Sequence, residues 1–368
     1  MQILAAVLRE KAHPLCVEQV EIDAPRAGEV LVRIVGTGIC RMDILIRDLM
    51  YPPPLPSVLG HEGAGVVEQV GVGVHKVQPG DHVILSFQSC GSCSSCVQGH
   101  PAYCEDFVAH NLGGVRGDGS TSLCNSAGPI SGSYFGQSSF ATYALATERN
   151  VVKVRRDAPL ELLGPLGCGI QTGAGAVLNS LAAKAGSSIA IFGTGSVGLS
   201  AVMAARVAGC TTIIAIDINP ARLQLASDLG ATHIIHSGKS DPVEKIRRIT
   251  GSGVDYSLET SAQPRLLRQA VDSLRARGVC GLIGTAAPGT EAAFDMCTIL
   301  AGRTIRGIIE GDSVPDIFIP RLIDLHMQGR FPFDRLVTFY GLDDINQAMA
   351  DSEQGKAIKP ILLMESGR

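Results

Sequence analysis

The sequence contains a short segment with four closely spaced cysteines, C90-G-S-C93-S-S-C96-V-Q-G-H-P-A-Y-C104. Four thiolates in one loop can complete a tetrahedral shell around zinc, which leaves no open coordination position for chemistry. An iron–sulfur cluster also takes four cysteines, but the bacterial signature has three residues before its fourth cysteine, where this segment has seven. The spacing therefore favours a structural zinc held by Cys90, Cys93, Cys96 and Cys104 over an iron–sulfur cluster.

Three further segments carry the residue types that hold a catalytic zinc: G36-T-G-I-C40-R-M-D43, G60-H61-E62-G63 and L166-G-C168-G. A catalytic zinc needs three protein ligands and an open fourth position, and two cysteines with one histidine are an attested set. Taken singly, a lone cysteine is usually a small buried hydrophobe, and a lone histidine is often part of the core. Glycines beside all three segments favour close backbone approach to a shared point. We therefore expect Cys40, His61 and Cys168 to form one metal site.

A glycine-rich loop, G193-T-G195-S-V197-G198, follows an apolar strand and opens an apolar helix. In that setting the first glycine permits the tight turn, the second lets a pyrophosphate approach the backbone, and the third permits close packing of helix on sheet. Asp217 ends the next strand about 20 residues later, where a carboxylate accepts hydrogen bonds from a ribose diol and repels a 2′-phosphate. The alternative for Asp217 is a simple turn residue. The loop and the spacing together predict NAD as the cofactor rather than NADP.

The elements around this loop alternate short β-branched strands with capped helices. Six strands are predicted, at 189–192, 212–216, 233–235, 254–258, 279–283 and 304–308. A helix is predicted over 196–208, and two more begin after the capping residues Asn219 and Asp241. This alternation predicts an α/β fold with a doubly wound, parallel, six-stranded Rossmann sheet.

The first 150 residues predict a mainly β domain, because Gly and Pro punctuate their strands and only short helical stretches intervene. The tail carries a predicted helix at 319–328 and a closing strand at 359–364. These two elements cannot bury a core alone, so we expect the tail to pack on the β domain. The predicted organisation is a catalytic domain at 1–170 with the zinc lobe near 86–105, a nucleotide-binding domain at 171–303, and a return to the catalytic domain at 304–368.

Length and composition exclude several other classes of protein. A chain of 368 residues is longer than a single hydrophobic core usually supports, so two domains are expected. A net charge of -4 without a basic cluster argues against nucleic acid as a partner. No apolar run reaches the roughly 20 residues of a membrane span. An odd number of cysteines, 11, without a signal-peptide pattern favours a cytoplasmic chain that binds metal over a disulfide framework.

The motifs occur in a recognisable order: G-x-G-x-C-x-x-D, G-H-E-G-x-G, the cysteine lobe, and G-C-G before G-x-G-x-x-G. In this order they resemble the zinc-dependent medium-chain alcohol dehydrogenase family over essentially the whole chain. The segments Y51-P-P-P-L-P-S-V-L-G-H-E-G, S133-Y-F-G-Q-S-S-F and E161-L-L-G-P-L-G-C-G further resemble the aryl (benzyl) alcohol dehydrogenase branch. The resemblance implies a GroES-like catalytic domain joined to a Rossmann domain, in a homodimer or homotetramer.

The resemblance also implies the roles of single residues around the catalytic zinc. It implies Cys40, His61 and Cys168 as the zinc ligands, Asp43 as the residue that orients His61, and Glu62 close behind the metal. Asp43 fits this role physically, because a metal-bound histidine normally gives its other N–H to a carboxylate.

Three basic residues match positions that lie near the cofactor in this family. Arg41 and Lys359 match positions near the pyrophosphate, and Arg222 matches a position near the adenosine ribose. The alternative for each of the three is a solvated surface charge.

The implied reaction is NAD-dependent oxidation of an aromatic or allylic primary alcohol to the aldehyde, through a zinc alkoxide and hydride transfer. Two residues depart from the family pattern. Many aryl-branch relatives carry His directly after the first cysteine ligand, where this chain has Arg41, which is too basic to act as a base. Members commonly carry Ser or Thr two positions after the first cysteine ligand, and this chain has Met42, whose thioether has no proton to pass on. Met42 therefore leaves open an alternative function, an inactive or low-turnover zinc protein that binds nucleotide. A second alternative, within the same class of enzyme, is a dehydrogenase for the thiol adduct of formaldehyde.

Overall fold

The computed structural model describes residues 1–48 and 54–364, so Tyr51 and the two residues after it lie outside the described part. The chain forms two compact units. The β-rich unit contains Met1–Gly169, Val314–Asp324 and the chain from Phe333 onward. The parallel-sheet unit contains Ile170–Ser313 and Leu325–Pro332.

The β-rich unit begins with a series of short strands. In chain order they are β1 (Gln2–Leu8), β2 (Cys16–Ile22), β3 (Glu29–Gly38), β4 (Ser57–Val58), β5 (Gly63–Val70), β6 (His82–Leu85), β7 (Leu123–Asn125), β8 (Gly128–Ile130), β9 (Tyr143–Thr147) and β10 (Val151–Lys153). The helices between them are short, as the sequence predicts: α1 (Arg41–Arg47), α2 (Ser94–Val97) and α3 (Phe107–Leu112). One sheet of this unit has the strand order β4-β1-β2-β7-β8.

The parallel-sheet unit alternates strands with helices. Its strands are β11 (Ser188–Phe192), β12 (Thr212–Asp217), β13 (His233–His236), β14 (Val254–Glu259), β15 (Leu274–Leu282) and β16 (Thr304–Gly307). The helices from Gly169 onward are α4 (Gly169–Gly175), α5 (Ser196–Ala208), α6 (Pro220–Leu229), α7 (Pro242–Thr250), α8 (Pro264–Asp272) and α9 (Met296–Leu300). All strand pairs are parallel, in the order β13-β12-β11-β14-β15-β16. This is the doubly wound sheet that the sequence predicts.

The helix boundaries follow the capping residues. The side chain of Asn219 accepts hydrogen bonds from two backbone N–H groups in the first turn of α6, and Asp241 does the same for α7. These bonds satisfy N–H groups that have no partner within the helix. Among the described residues, no helix is long and apolar enough to cross a membrane.

The tail contributes α10 (Pro315–Met327), β17 (Val337–Gly341), α11 (Ile345–Glu353) and β18 (Lys359–Leu363). β18 pairs with β3 and β17, and it completes a sheet of the β-rich unit with the order β10-β6-β5-β3-β18-β17, to which β9 adds through β3. The second boundary lies after Ser313, later than the expected boundary at 303. The reason is that β16 pairs with β15 and therefore belongs to the parallel sheet.

Candidate functional site

The four cysteines of the lobe lie together in the β-rich unit. The sulfur atoms of Cys90, Cys93, Cys96 and Cys104 all lie within 4.8 Å of one another. The backbone N–H groups of Ser92 and Cys93 donate to the Cys90 sulfur at 3.5 and 3.3 Å, and that of Cys90 donates to the Cys104 sulfur at 3.2 Å. Sulfur atoms that accept backbone N–H groups in this way are stabilised as thiolates, which are the form that binds zinc.

The pKa values in the lobe follow from these contacts. Backbone hydrogen bonds from Ser92 and Cys93 lower the pKa of Cys90 to about 6. Burial raises the pKa of Cys104 to about 12, against the effect of the hydrogen bond from the Cys90 backbone. A divalent cation would offset that burial cost, because a coordinating thiol is deprotonated by the metal itself. The donor set, four sulfur atoms with no carboxylate among them, fits zinc.

The three scattered segments also come together in the β-rich unit. One ligand atom from each of Cys40, His61, Glu62 and Cys168 lies within 4.8 Å of the others. Cys40 immediately precedes α1, His61 lies two residues before β5, and Cys168 immediately precedes α4. Close packing explains two of the glycines, since a Cβ on Gly38 would lie 2.0 Å from the Glu62 Oε2 atom and one on Gly167 would lie 2.2 Å from the Leu85 carbonyl.

Asp43 connects two of these residues through its buried carboxylate. Its Oδ2 atom accepts the backbone N–H of Cys40 at 2.8 Å, and its Oδ1 atom lies 2.8 Å from the Nδ1 atom of His61. Because a carboxylate only accepts, Nδ1 carries a proton, and Nε2 is the nitrogen that remains to bind a metal. Nε2 is buried and has no hydrogen-bond partner. A buried nitrogen lone pair beside two thiols is the arrangement that a zinc ion fits.

Cys40 is poised as a thiolate within this cluster. A hydrogen bond with Cys168 holds the pKa of Cys40 well below its usual value, despite the opposing effect of burial, and the charge of Lys359 acts in the same direction. The thiolate is the ligand form of cysteine.

The structure gives Lys359 a different role from the one that the resemblance implied. Its ammonium donates to both carboxylate oxygens of Glu62 at 2.9 Å and to the Ile39 carbonyl at 3.1 Å, which uses all three of its N–H groups. Both side chains are buried, at 1% and 0% exposure. Burial opposes the charge on Lys359, yet Glu62 raises the pKa of Lys359. Lys359 is therefore committed to Glu62 and has no N–H group left for a pyrophosphate.

The glycine loop has the geometry that its three glycines predict. Gly193 has a φ of 98°, in the left-handed region that glycine adopts at least cost. A Cβ on Gly195 would have no heavy atom within 4 Å, whereas one on Gly198 would lie 1.9 Å from the Gly193 carbonyl. Gly195 thus leaves room for a ligand at the N-terminus of α5, and Gly198 lets the helix pack closely on the loop. This open cradle at a helix N-terminus fits a pyrophosphate.

Asp217 lies at the end of β12, and it holds the glycine loop as well. Its Oδ2 atom accepts the backbone N–H and the hydroxyl of Thr194 at 2.7 and 2.8 Å. Its Oδ1 atom accepts the backbone N–H groups of Ile218 and Asn219 at 2.7 and 2.9 Å. Among the other predicted cofactor residues, Arg222 on α6 has a buried Nε atom without a partner, and Arg41 is exposed at the start of α1. Val197 lies in the first turn of α5.

Sequence reasoning missed three residues that shape these sites. Thr194 was an unassigned position within the glycine pattern. Gln137 donates from Nε2 to the His61 carbonyl at 3.0 Å and accepts the Gly63 N–H at 3.1 Å. The ring of Phe135 stacks on the ring of His61. Gln137 and Phe135 both belong to the segment S133-Y-F-G-Q, which the sequence had marked only through the family resemblance.

The folds and the clustered side chains of the two units define a class of protein. A doubly wound sheet with an open glycine loop and a Cys2His cluster with an unpartnered nitrogen are the parts of a zinc-dependent, nucleotide-linked dehydrogenase. The alcohol dehydrogenase GroES-like domain family matches residues 26–156, and the zinc-binding dehydrogenase family matches residues 196–325. The chain belongs to the zinc-binding medium-chain alcohol dehydrogenase family, and both of its cysteine clusters fit zinc.

Three relatives are similar over nearly the whole chain. The geraniol dehydrogenase of Castellaniella defragrans is 48% identical over 98% of this chain and 97% of its own length. The crystal structure of an alcohol dehydrogenase zinc-binding domain protein from Burkholderia ambifaria is 59% identical, covers 99% of both chains and has a TM-score of 0.97. The crystal structure of benzyl alcohol dehydrogenase from Acinetobacter calcoaceticus is 48% identical, covers 99% of both chains and has a TM-score of 0.96.

The glycine loop yields a prediction that separates folding from cofactor binding. Gly195→Ala should keep the stability of the wild type, because its methyl group meets open space, but should weaken NADH binding by about tenfold or more. Gly198→Ala should lower the free energy of unfolding by roughly 1–3 kcal/mol, because its methyl group meets a backbone carbonyl. Denaturant unfolding and titration of NADH fluorescence measure the two effects. Equal NADH affinity in wild type and Gly195→Ala would contradict the placement of the cofactor.

The buried pair of Lys359 and Glu62 yields a second prediction. Lys359→Met leaves a buried carboxylate without its partner, so the free energy of unfolding should fall by roughly 3–5 kcal/mol. The double variant Lys359→Met with Glu62→Gln should recover much of this loss, because no buried charge remains. Denaturant unfolding of the zinc-loaded proteins measures both. A Lys359→Met protein of wild-type stability with weakened NADH binding would instead support the pyrophosphate role.

Proposed function

We propose that this chain oxidises aromatic or allylic primary alcohols to aldehydes with NAD. The observation that carries the proposal is the cluster of Cys40, Cys168 and the unpartnered Nε2 atom of His61, in a chain similar to a geraniol dehydrogenase and a benzyl alcohol dehydrogenase. Geraniol is an allylic alcohol and benzyl alcohol an aromatic one. Both present a primary alcohol beside a π-system, and this shared feature defines the proposed substrate class.

The proposed catalytic site assigns one task to each residue. Cys40, His61 and Cys168 hold the catalytic zinc, which supplies Lewis-acid chemistry when it is bound, while NAD accepts the hydride. Asp43 fixes the tautomer of His61 and the position of the Cys40 backbone at the same time. Glu62 is held behind the cluster by Lys359, whose ammonium offsets the charge of its carboxylate.

The remaining assignments concern the structural zinc and the cofactor. Cys90, Cys93, Cys96 and Cys104 hold the structural zinc, since the donor set is complete without any open position. Gly193, Gly195, Val197 and Gly198 form the pyrophosphate cradle, with Asp217 at the adenosine ribose. For Arg222, the support is a buried Nε atom that still lacks a partner. For Arg41, the support is its exposed position beside Cys40.

Met42 is the feature that favours the alternative of low turnover. The partly buried Met42 side chain packs against the hydrophobic core of the β-rich unit. It adds apolar surface beside Cys40, but it has no proton to pass from the reacting alcohol to solvent. In the proposed enzyme the proton leaves by a path that does not involve this residue.

We also infer a homo-oligomer, a dimer or a tetramer, located in the cytoplasm. The support for assembly is an apolar surface on the parallel-sheet unit, where Met296 and Leu300 of α9 are each 85% exposed. Strand β16, which follows α9 along the chain, lies at the edge of its sheet. Exposed apolar side chains and an open sheet edge are each typical of association between chains.

The function is tested with three alcohols. The zinc-loaded protein should form NADH with benzyl alcohol, cinnamyl alcohol and geraniol, measured by absorbance from neutral to alkaline pH. Cys40→Ala should abolish this activity, because it removes a proposed zinc ligand, while NADH binding persists. If zinc-loaded wild type binds NADH but oxidises none of the three, the chain is a nucleotide-binding homologue without turnover. Activity that requires formaldehyde and a thiol together would assign the thiol-adduct reaction instead.

Met42→Thr tests the missing relay. The threonine hydroxyl both donates and accepts, so turnover should rise, and it should rise most at lower pH, where loss of the alcohol proton is least favourable. Met42→Leu is the matched control, because it keeps an apolar side chain and adds no hydroxyl. Profiles of kcat against pH for the three proteins make the comparison. Equal profiles for Met42→Thr and Met42→Leu would mean that an existing proton path already serves.

A further inference from the structure

Two aromatic rings surround the imidazole of His61. The Phe135 ring stacks on it, with centroids 4.5 Å apart and an angle of 27° between the planes. The Tyr134 ring meets it edge-on, with centroids 5.5 Å apart and an angle of 88°. Both residues are buried, at 5% and 0% exposure. The imidazole is therefore held on its face as well as at its Nδ1 edge.

The two kinds of contact do different things to the ring. A single hydrogen bond to Asp43 fixes the position of Nδ1 and the tautomer. It leaves the ring free to tilt about that contact, and a tilt moves Nε2, the proposed ligand atom, away from the two sulfur atoms. A stacked ring opposes the tilt because it fixes the plane of the imidazole.

The backbone at Phe135 is in a conformation that phenylalanine rarely adopts. Its φ of 50° and ψ of 31° lie in the left-handed region, which costs free energy for any residue with a bulky side chain. Surrounding bonds hold the segment in place: Gln137 bonds to the His61 carbonyl at 3.0 Å, and Asn150 donates to the Gly136 carbonyl at 3.1 Å. Glycine or asparagine would fit this backbone at lower cost. Strain that persists at a proposed metal site points to a function of the side chain itself.

Phe135 is in turn supported by rings that adjoin the cysteine lobe. Its ring meets Phe107 edge-on with centroids 6.4 Å apart, and Phe107 meets Phe87 with centroids 5.9 Å apart. The backbone N–H of Phe107 donates to the Cys104 carbonyl at 2.9 Å. Asn111 on the same helix bonds to the Gln88 backbone at 2.8 and 3.0 Å. A continuous series of contacts thus leads from the structural zinc lobe to the imidazole.

We propose that Phe135 is a positioning residue that fixes the plane of the His61 imidazole for zinc and ties that plane, through Phe107, to the cysteine lobe. This inference rests on the proposed role of His61 as a zinc ligand. Phe135 acts through His61 and takes no part in the reaction itself.

The test uses cobalt in place of the catalytic zinc, because the visible bands of cobalt report ligand geometry. Phe135→Leu keeps an apolar side chain and removes the ring, so the cobalt bands should shift. Release of the catalytic metal to a chelator should be faster by on the order of tenfold, the usual effect of losing a residue that supports a metal ligand. Phe135→Tyr keeps the ring and should behave like the wild type. Phe107→Leu should change both measurements in the same direction but less.

Phe318→Leu is the matched control, because it removes a buried ring from α10 of the same unit. The rings that contact His61 are those of Tyr134 and Phe135, so this control tests the loss of a ring elsewhere in the unit. The zinc content of the cysteine lobe and the melting temperature show that each variant is folded. If Phe135→Leu and Phe318→Leu give the same bands and release rates, the inference is overturned while the zinc site stands. If the only cobalt–thiolate bands in the wild type come from the cysteine lobe, Cys40, His61 and Cys168 do not form a metal site. The proposed function and this inference would then both be wrong.

Discussion

The candidate metal site depends on the two hydrogen bonds that the buried carboxylate of Asp43 accepts. Its two oxygens hold parts of two different elements, the backbone before α1 and the imidazole before β5, each at 2.8 Å. A carboxylate buried at 0% exposure carries a large desolvation cost unless it is paired and hydrogen-bonded. That cost makes the geometry specific, because any movement of Cys40 or His61 would leave a buried charge without its partner. The arrangement therefore links the folding of α1 to the orientation of a metal ligand.

The Glu62 carboxylate, which lies behind the cluster, is also a buried charge that needs partners. Burial raises the pKa of Glu62, and the Lys359 ammonium opposes that shift. The Gly169 N–H also donates to Glu62, at 3.1 Å, next to Cys168. Lys359 is not the only positive group here, because, against the opposing effect of burial, Asp43 and Cys40 raise the pKa of His61 well above its usual value. A divalent cation bound by Cys40, His61 and Cys168 would take the place of the His61 proton and offset the charge of the thiolates.

The sequence predicted those features that depend on local pattern. The cysteine spacing of the lobe, the glycine loop and the caps Asn219 and Asp241 are legible because each effect acts within a few residues. The doubly wound sheet is predictable for the same reason, since alternating strands and helices allow few topologies. The order of motifs was enough to assign the family, which the relatives confirm.

What the sequence could not supply depends on contacts between distant residues. Lys359 looked like a free charge at the start of a strand, but pairing of β18 with β3 carries it into the interior, where Glu62 takes its ammonium. Phe135 had no role assigned from the sequence, and only the fold shows that its ring lies on His61, from which strands β5 to β8 separate it along the chain. Asp217 illustrates both situations. Its spacing predicted a carboxylate at the ribose, while its bonds to Thr194 show that the same group also shapes the glycine loop. A buried charged group needs several hydrogen-bond partners, and tertiary structure brings those partners to it. Because the partners come from distant parts of the chain, the spacing of residues in the sequence does not reveal them.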